Sequence, residues 1–253
     1  MTPIAVSLVA FVVILGGAIV GAFLRNTLPD HHLASDAKDI FRLGAGLVGT
    51  IVALVLGLLI ASAKSTYDTQ STQVQHLAAD LVLLDRHLAQ YGPEARPARD
   101  SLRAAISLMV DRIWHERSLP AAKRASFEWT AVGGDAYAGI EQLAPQTESQ
   151  RSLKERAVQL ATEMVKTRLL LFEQADKSIP KPFLAVMVFW LAIIFMSYSL
   201  FAQPNPTVVA GLVLFALSAS AAIFLVLEMS QPFAGMMQIS SAPLRNALAP
   251  LGP

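Results

Sequence analysis

The sequence predicts an all-α integral membrane protein with four transmembrane helices and a helical, water-soluble domain between the second and third spans. Three observations carry that prediction. The chain has 253 residues, 54% of them hydrophobic and only 15% charged, where a soluble domain carries about 25% charge. Its mean hydropathy is +0.49. The shortage of charge is also uneven. Four windows of spanning length contain no Asp, Glu, Lys or Arg, and most of the charge lies between Lys64 and Lys181, as membrane segments flanking a polar domain require.

The first transmembrane hairpin occupies residues 1–63. Ile4 to Leu24 is apolar throughout and long enough to cross a ~30 Å hydrocarbon core. No Lys or Arg precedes it and it exceeds a usual signal-peptide core, so a retained span is expected rather than a cleaved leader. Arg25 to Arg42 forms a polar connector with Pro29, His31 and His32. The second span, about 43–63, meets no helix breaker before Gly92-Pro93. Val74, Leu77, Leu81, Leu84, Leu88 and Tyr91 keep a three-to-four spacing, so the span should continue out of the bilayer as one helical stalk. From Leu43 to Tyr91 it would run on the order of 70 Å.

The soluble domain is expected over residues 64–180. After a turn at Pro93–Pro97, Leu102, Ile106, Met109 and Ile113 form the apolar stripe of a bundle helix, ended by Ser118-Leu119-Pro120. The stretch to Pro145, with Gly133-Gly134, predicts short helices and loop. A third helix begins near Ser149, striped by Leu153, Ala157, Leu160, Met164 and Leu171, with Glu173 and Lys177 as an i,i+4 pair. Pro180 and Pro182 end it. The second transmembrane hairpin covers 181–228, with spans about 183–201 and 207–227 around the polar turn Gln203–Pro206. Residues 229–253 are expected to be a loose or interfacial tail.

Four spans put both termini and the middle domain on one side. Lys64, Lys166, Arg168, Lys177, Lys181 and Arg245 lie on that side, and Arg25, Lys38 and Arg42 on the other. The bias predicts a cytoplasmic domain and cytoplasmic termini in a bacterial inner membrane. The lipid bilayer is thus the first partner.

Several function classes are excluded. The net charge is +1 and no basic run occurs, so nothing points to nucleic acid. With no cysteine, disulfides, thiolate metal sites and cysteine nucleophiles are out. Known hydrolase, phosphate-loop, dinucleotide and zinc-protease motifs are missing, so no catalytic residues and no cofactor are assigned. The His31-His32 pair lacks zinc-site spacing and reads as a solvated loop, so no metal is expected. Trp114-His115-Glu116 reads as a helix end at a domain contact. No Asp, Glu, Lys, Arg or His lies within a span, which argues against proton pumps and ion-coupled transporters but not against channels.

Within the spans, Gly49, Ala53, Gly57 and Ala61 recur every four residues, and Gly17 and Gly21 repeat the spacing. Such residues let helix backbones approach closely, either inside the four-helix unit or at a subunit interface. At about 100° per residue the opposite face of the second span carries Ile51, Val55, Leu58 and Ser62, candidates to line a pore. Arg42 and Lys64 stand at its two ends as candidate mouth charges. Lys64 also has Asp68 one turn on and Glu228 at the foot of the fourth span as neutralising partners.

Gly57-Leu-Leu-Ile-Ala-Ser-Ala-Lys-Ser-Thr-Tyr-Asp68 resembles the second-span signature of the bacterial bestrophin-like family, otherwise a domain of unknown function. So does the tail from Leu227 to Arg245, although Gln231 stands where an Arg is common in the family. The resemblance spans nearly the whole chain. It implies an oligomeric membrane channel for small anions, a homo-pentamer by resemblance alone, with cytosolic termini. The acidic calcium clasp of animal bestrophins has no counterpart near Glu228, so no calcium gate is expected. The competing function is a membrane scaffold or signalling protein, including a stator-like subunit, whose helical bundle binds partners.

Overall fold

The computed structural model describes residues 2–29, 35–114, 134–175, 181–203 and 205–248. His31 and His32, His115 and Glu116, Ser118–Pro120, Gly133, Lys177 and Pro180, all weighed above, fall outside those residues. Among the described residues the chain is all-helical, and four helices are long and apolar enough to cross a membrane. It divides into two compact units, 1–66 with 178–230, and 67–177 with 231–253.

The first unit holds the apolar helices. α1 runs Pro3–Thr27, with the Thr2 hydroxyl accepting from the Ala5 amide at 3.3 Å and Pro3 in the first turn, where a missing N–H costs nothing. α2 runs Ser35–Tyr91 as one 57-residue helix. It begins eight residues before the expected span and continues through it without a break.

Two more apolar helices follow later in the chain. We number them α6, Lys181–Phe201, and α7, Pro206–Met229. Asn205 caps α7 by accepting from the Thr207 amide at 3.0 Å. Hydroxyls inside the spans bond back one turn, Thr50 to the Gly46 carbonyl at 3.0 Å and Ser197 to the Ile193 carbonyl at 2.9 Å. That satisfies them without water. The core of this unit is Ala10, Ile14, Ala18, Val52, Met187, Leu191, Ile194, Phe195, Ala216 and Ile223.

The second unit is a helical bundle. Besides the α2 residues from Tyr67 on, it contains α3 (Arg96–Trp114), α4 (Gly134–Glu141), α5 (Glu148–Ala175) and α8 (Ala242–Leu248). Gly92, at φ +131°, ends α2 in a conformation that side chains disfavour. The Gln150 side chain then donates to the freed Tyr91 carbonyl at 3.1 Å. Lys154 Nζ donates to the Glu141 and Leu143 carbonyls at 2.7 and 2.8 Å, a cation where the α4 dipole favours one. The stripe Val74, Leu77, Leu81, Leu84, Leu88, Tyr91 is buried against Leu102, Ile106, Met109, Ala157 and Met164.

The tail differs from the loose segment expected. Phe233, Ile239, Leu244 and Ala247 are buried in the bundle core. Trp114 Nε1 donates to the Ile239 carbonyl at 2.6 Å, and its ring meets Phe233 edge-on at 5.5 Å. The reason is hydrophobic: Phe233 and Ile239 sit in non-helical chain among Gly and Ser with no period, and Leu244 and Ala247 share one face of a helix only seven residues long, too short a signature to read from the sequence.

Candidate pore helix

α2 differs from the other three apolar helices in how little of it the chain covers. Within its most apolar stretch 11% is buried, against 28% for α1, 39% for α6 and 17% for α7. A helix in lipid needs no cover, but one of several in a shared pore also shows this pattern in a single subunit. Its packed face is Ala45, Val48, Val52, Leu56, Leu59 and Ala63, of which Ala63 lies against Val226 and Met229 of α7.

The two faces singled out in the sequence flank that packed face. Gly49 and Gly57 have no atom of the chain within 4 Å of where a Cβ would stand, and Ala53 and Ala61 are exposed. Gly17 and Gly21 behave otherwise. A Cβ on Gly17 would meet the Ala192 carbonyl oxygen at 2.4 Å, and one on Gly21 the Met196 carbonyl oxygen at 2.2 Å. In α1 the spacing therefore serves close backbone contact with α6, whereas in α2 the same spacing is open. On the other flank Leu58 is 72% and Ile51 39% exposed, Ser62 is exposed, and Val55 is half-buried at the edge of the packed face.

The flanking charges have different surroundings. Lys64 is exposed on α2. Glu228, in the last turn of α7, is only 2% exposed. Arg42 lines a cavity of about 210 Å³ together with Lys38, Phe41, Tyr198 and Phe201, a grouping that no spacing in the sequence reveals because it joins residues over 150 positions apart. Gln70 was also missed. It stands one turn before Val74 on the buried stripe, is 0% exposed, and neither amide atom has a hydrogen-bond partner among the described residues. A polar residue at a stripe position was the available signal.

In the bundle, Arg99 holds Asp85 through two hydrogen bonds, Nε to Oδ1 at 2.7 Å and Nη2 to Oδ2 at 2.9 Å. That contact raises the guanidinium pKa above its ordinary value. Asp80 is also shifted upward, by burial first and by Glu163 second, with His76 opposing. Among the described residues no group of three or more His, Asp or Glu is placed to hold a metal.

Comparison with known proteins adds what geometry alone does not. Crystal structures of a bacterial bestrophin homologue from Klebsiella pneumoniae superpose over nearly the entire chain. One point variant covers 99% of this chain and 98% of its own at TM-score 0.67 and 14% identity. Another covers 99% and 97% at TM-score 0.68 and 14% identity. A structure described only as a membrane protein variant covers 97% of both chains at TM-score 0.68 and 13% identity. At such identities the likeness concerns the fold. No curated protein matches the chain by sequence. The model of the bestrophin-like domain matches residues 11–244, which is most of the chain, and the protein belongs to the bestrophin-like family.

Proposed function

We propose that the protein is a homo-oligomeric membrane channel for small anions, with α2 as the pore helix. The observation that carries this is the uncovered α2. Its apolar stretch is 11% buried, and the open small-residue face and the Ile51–Leu58 face lie on either side of its packed face. The first face suits a neighbouring subunit, which can approach Gly49, Ala53, Gly57 and Ala61 closely. The second then turns toward an axis. A constriction of Ile51, Val55 and Leu58 would gate by dewetting, leaving charge selection to the mouths. Arg42 and Lys64 stand at the two ends of the α2 span on its small-residue side, where their long side chains put positive charge at the rims and favour anions. Family membership supports the channel class, and the charge bias around the spans supports cytoplasmic termini and a cytoplasmic bundle.

Purified protein in liposomes tests the proposal directly. Wild type should carry chloride flux, and Val55→Ser or Leu58→Ser should raise it several-fold by wetting the constriction. Lys64→Glu should move selectivity toward cations. If none of the three alters flux or selectivity in protein that still assembles, α2 is not the pore helix.

A further inference from the structure

The cavity at one end of the first unit has the chemistry of a binding site in its own right. It is about 210 Å³ and is lined by Lys38 and Arg42 of α2 and by Tyr198, Phe201 and Ala202 at the end of α6. An engineered cavity of ~150 Å³ already admits benzene, so there is room for a phosphate group with its ester carbons. Lys38 and Arg42 stand one turn apart, both exposed. Among the described residues neither has a salt bridge, and no carboxylate lines the cavity. At ~100° per residue Asp36 falls roughly opposite Lys38 and Arg42 and Asp39 about 60° from Arg42, and Asp36 accepts from the Ser35 hydroxyl at 3.2 Å. The two bases, and neither carboxylate, line the cavity.

A third cation braces the site. Arg25, at the end of α1, donates to the carbonyl of Ala202. That carbonyl belongs to the C-terminal end of α6, where a cation is favoured, and the bond fixes one wall. The floor is aromatic, with Phe41 and Phe201 packed at 5.4 Å between ring centroids and tilted by 47°. Tyr198, 49% exposed, offers a hydroxyl at the level where tyrosines meet lipid headgroups.

What lies beside the cavity along α2 decides between a free anion and a lipid. On the helix face that carries Lys38 and Arg42, the next turns are Gly46, Gly49 and Ala53. Neither glycine has an atom within 4 Å of an added Cβ. A smooth apolar track therefore leads from the cationic cavity into the spanning part of the helix. A free phosphate has no use for that track, and an acyl chain can enter it at Gly46.

We infer that the Lys38–Arg42–Tyr198 cavity binds the phosphodiester headgroup of an anionic phospholipid, with an acyl chain leaving the cavity over Gly46, short of the Gly49–Ala61 face proposed to meet a neighbouring subunit. This goes beyond the channel proposal and does not rest on it. A bound lipid would neutralise Arg42 at that end of α2.

The test uses the full chain in nanodiscs of mixed phosphatidylcholine and phosphatidylglycerol, extracted into mild detergent and read by native mass spectrometry. Wild type should retain phosphatidylglycerol in preference to phosphatidylcholine. Lys38→Ala and Arg42→Ala should each lower that preference about fivefold, the worth of one near-surface cation, while Arg42→Lys keeps most of it. Equal retention of the two lipids by wild type overturns the inference without any variant. So does an unchanged preference in the Lys38→Ala/Arg42→Ala double variant. Displacement of the glycerolipid by excess inorganic phosphate would assign the site to free anions and overturn the lipid. The readout is retained lipid mass, so its failure is distinct from a failure to conduct.

Discussion

Asp80 shows how one side chain in the bundle sets a pH dependence. Burial and the nearby Glu163 carboxylate raise its pKa above the ordinary 3.8, and His76 partly offsets them. A carboxyl raised on folding destabilises the folded state when it is ionised. Its favourable contribution is complete below the ordinary value and is lost as pH rises through the folded one. Asp80→Asn should therefore raise the thermal midpoint near neutral pH, and the gain should fade as pH drops toward 3.8. Thermal scans of wild type and variant across that window check it, and a gain independent of pH would show that titration is not the cause. The approach of Asp80 to Glu163 was invisible in the sequence, because the two lie on α2 and α5 and meet only after the bundle forms. The same holds for the Arg99–Asp85 pair, 14 residues apart across a helical turn. By contrast, the buried stripe from Val74 to Tyr91 was legible, since burial on a helix leaves a periodic trace.

At the scale of the element, identical spacing has two different outcomes. Gly17 and Gly21 let α1 touch the backbone of α6, where any side chain meets a carbonyl oxygen below 3 Å. Gly49 and Gly57 repeat the small-residue pattern with no neighbour in the chain. Sequence periodicity marks a face as smooth but not what it meets, which is why packing and interface could not be separated beforehand. Substitution separates them. Gly17→Leu should destabilise the fold by at least about 1–3 kcal/mol, the usual cost of overpacking, because backbone rather than a flexible tip must yield. Gly49→Leu should leave helicity and the thermal midpoint of the single subunit nearly unchanged, since the site is open. It should nonetheless shift the protein to smaller assemblies, measured as mass in detergent. An unshifted mass for Gly49→Leu would mean that this face meets lipid. The spans themselves were readable to within a few residues because apolar length is a one-dimensional property. The buried tail was not, because Phe233 and Ile239 sit among turn residues and have no period.

For the whole molecule the question is how four spans could make an aqueous path. α1, α6 and α7 bury faces on one another through Ile14, Met187 and Ile223, and α2 is the least covered of the four apolar helices. A path lined by one helix per subunit must be shared, and closed cyclic symmetry is the usual way to share it. Exposed apolar side chains in the bundle unit point the same way. Leu83, Leu108 and Leu169 are 45%, 46% and 51% exposed, well outside the spans, where water rather than lipid would meet them. A symmetric assembly would cover such leucines in every copy alike. The expected outcome is a monodisperse homo-oligomer in mild detergent. Its mass should persist when the protein is moved to lipid nanodiscs. Leu83→Asp and Leu108→Asp, both in the bundle unit, should weaken that assembly if the bundles share the interface, and leave it intact if only α2 holds the copies together. A monomer in both detergent and nanodiscs would remove the shared pore. α2 would then be a lipid-facing helix, and the glycines at positions 49 and 57 would have no partner to admit.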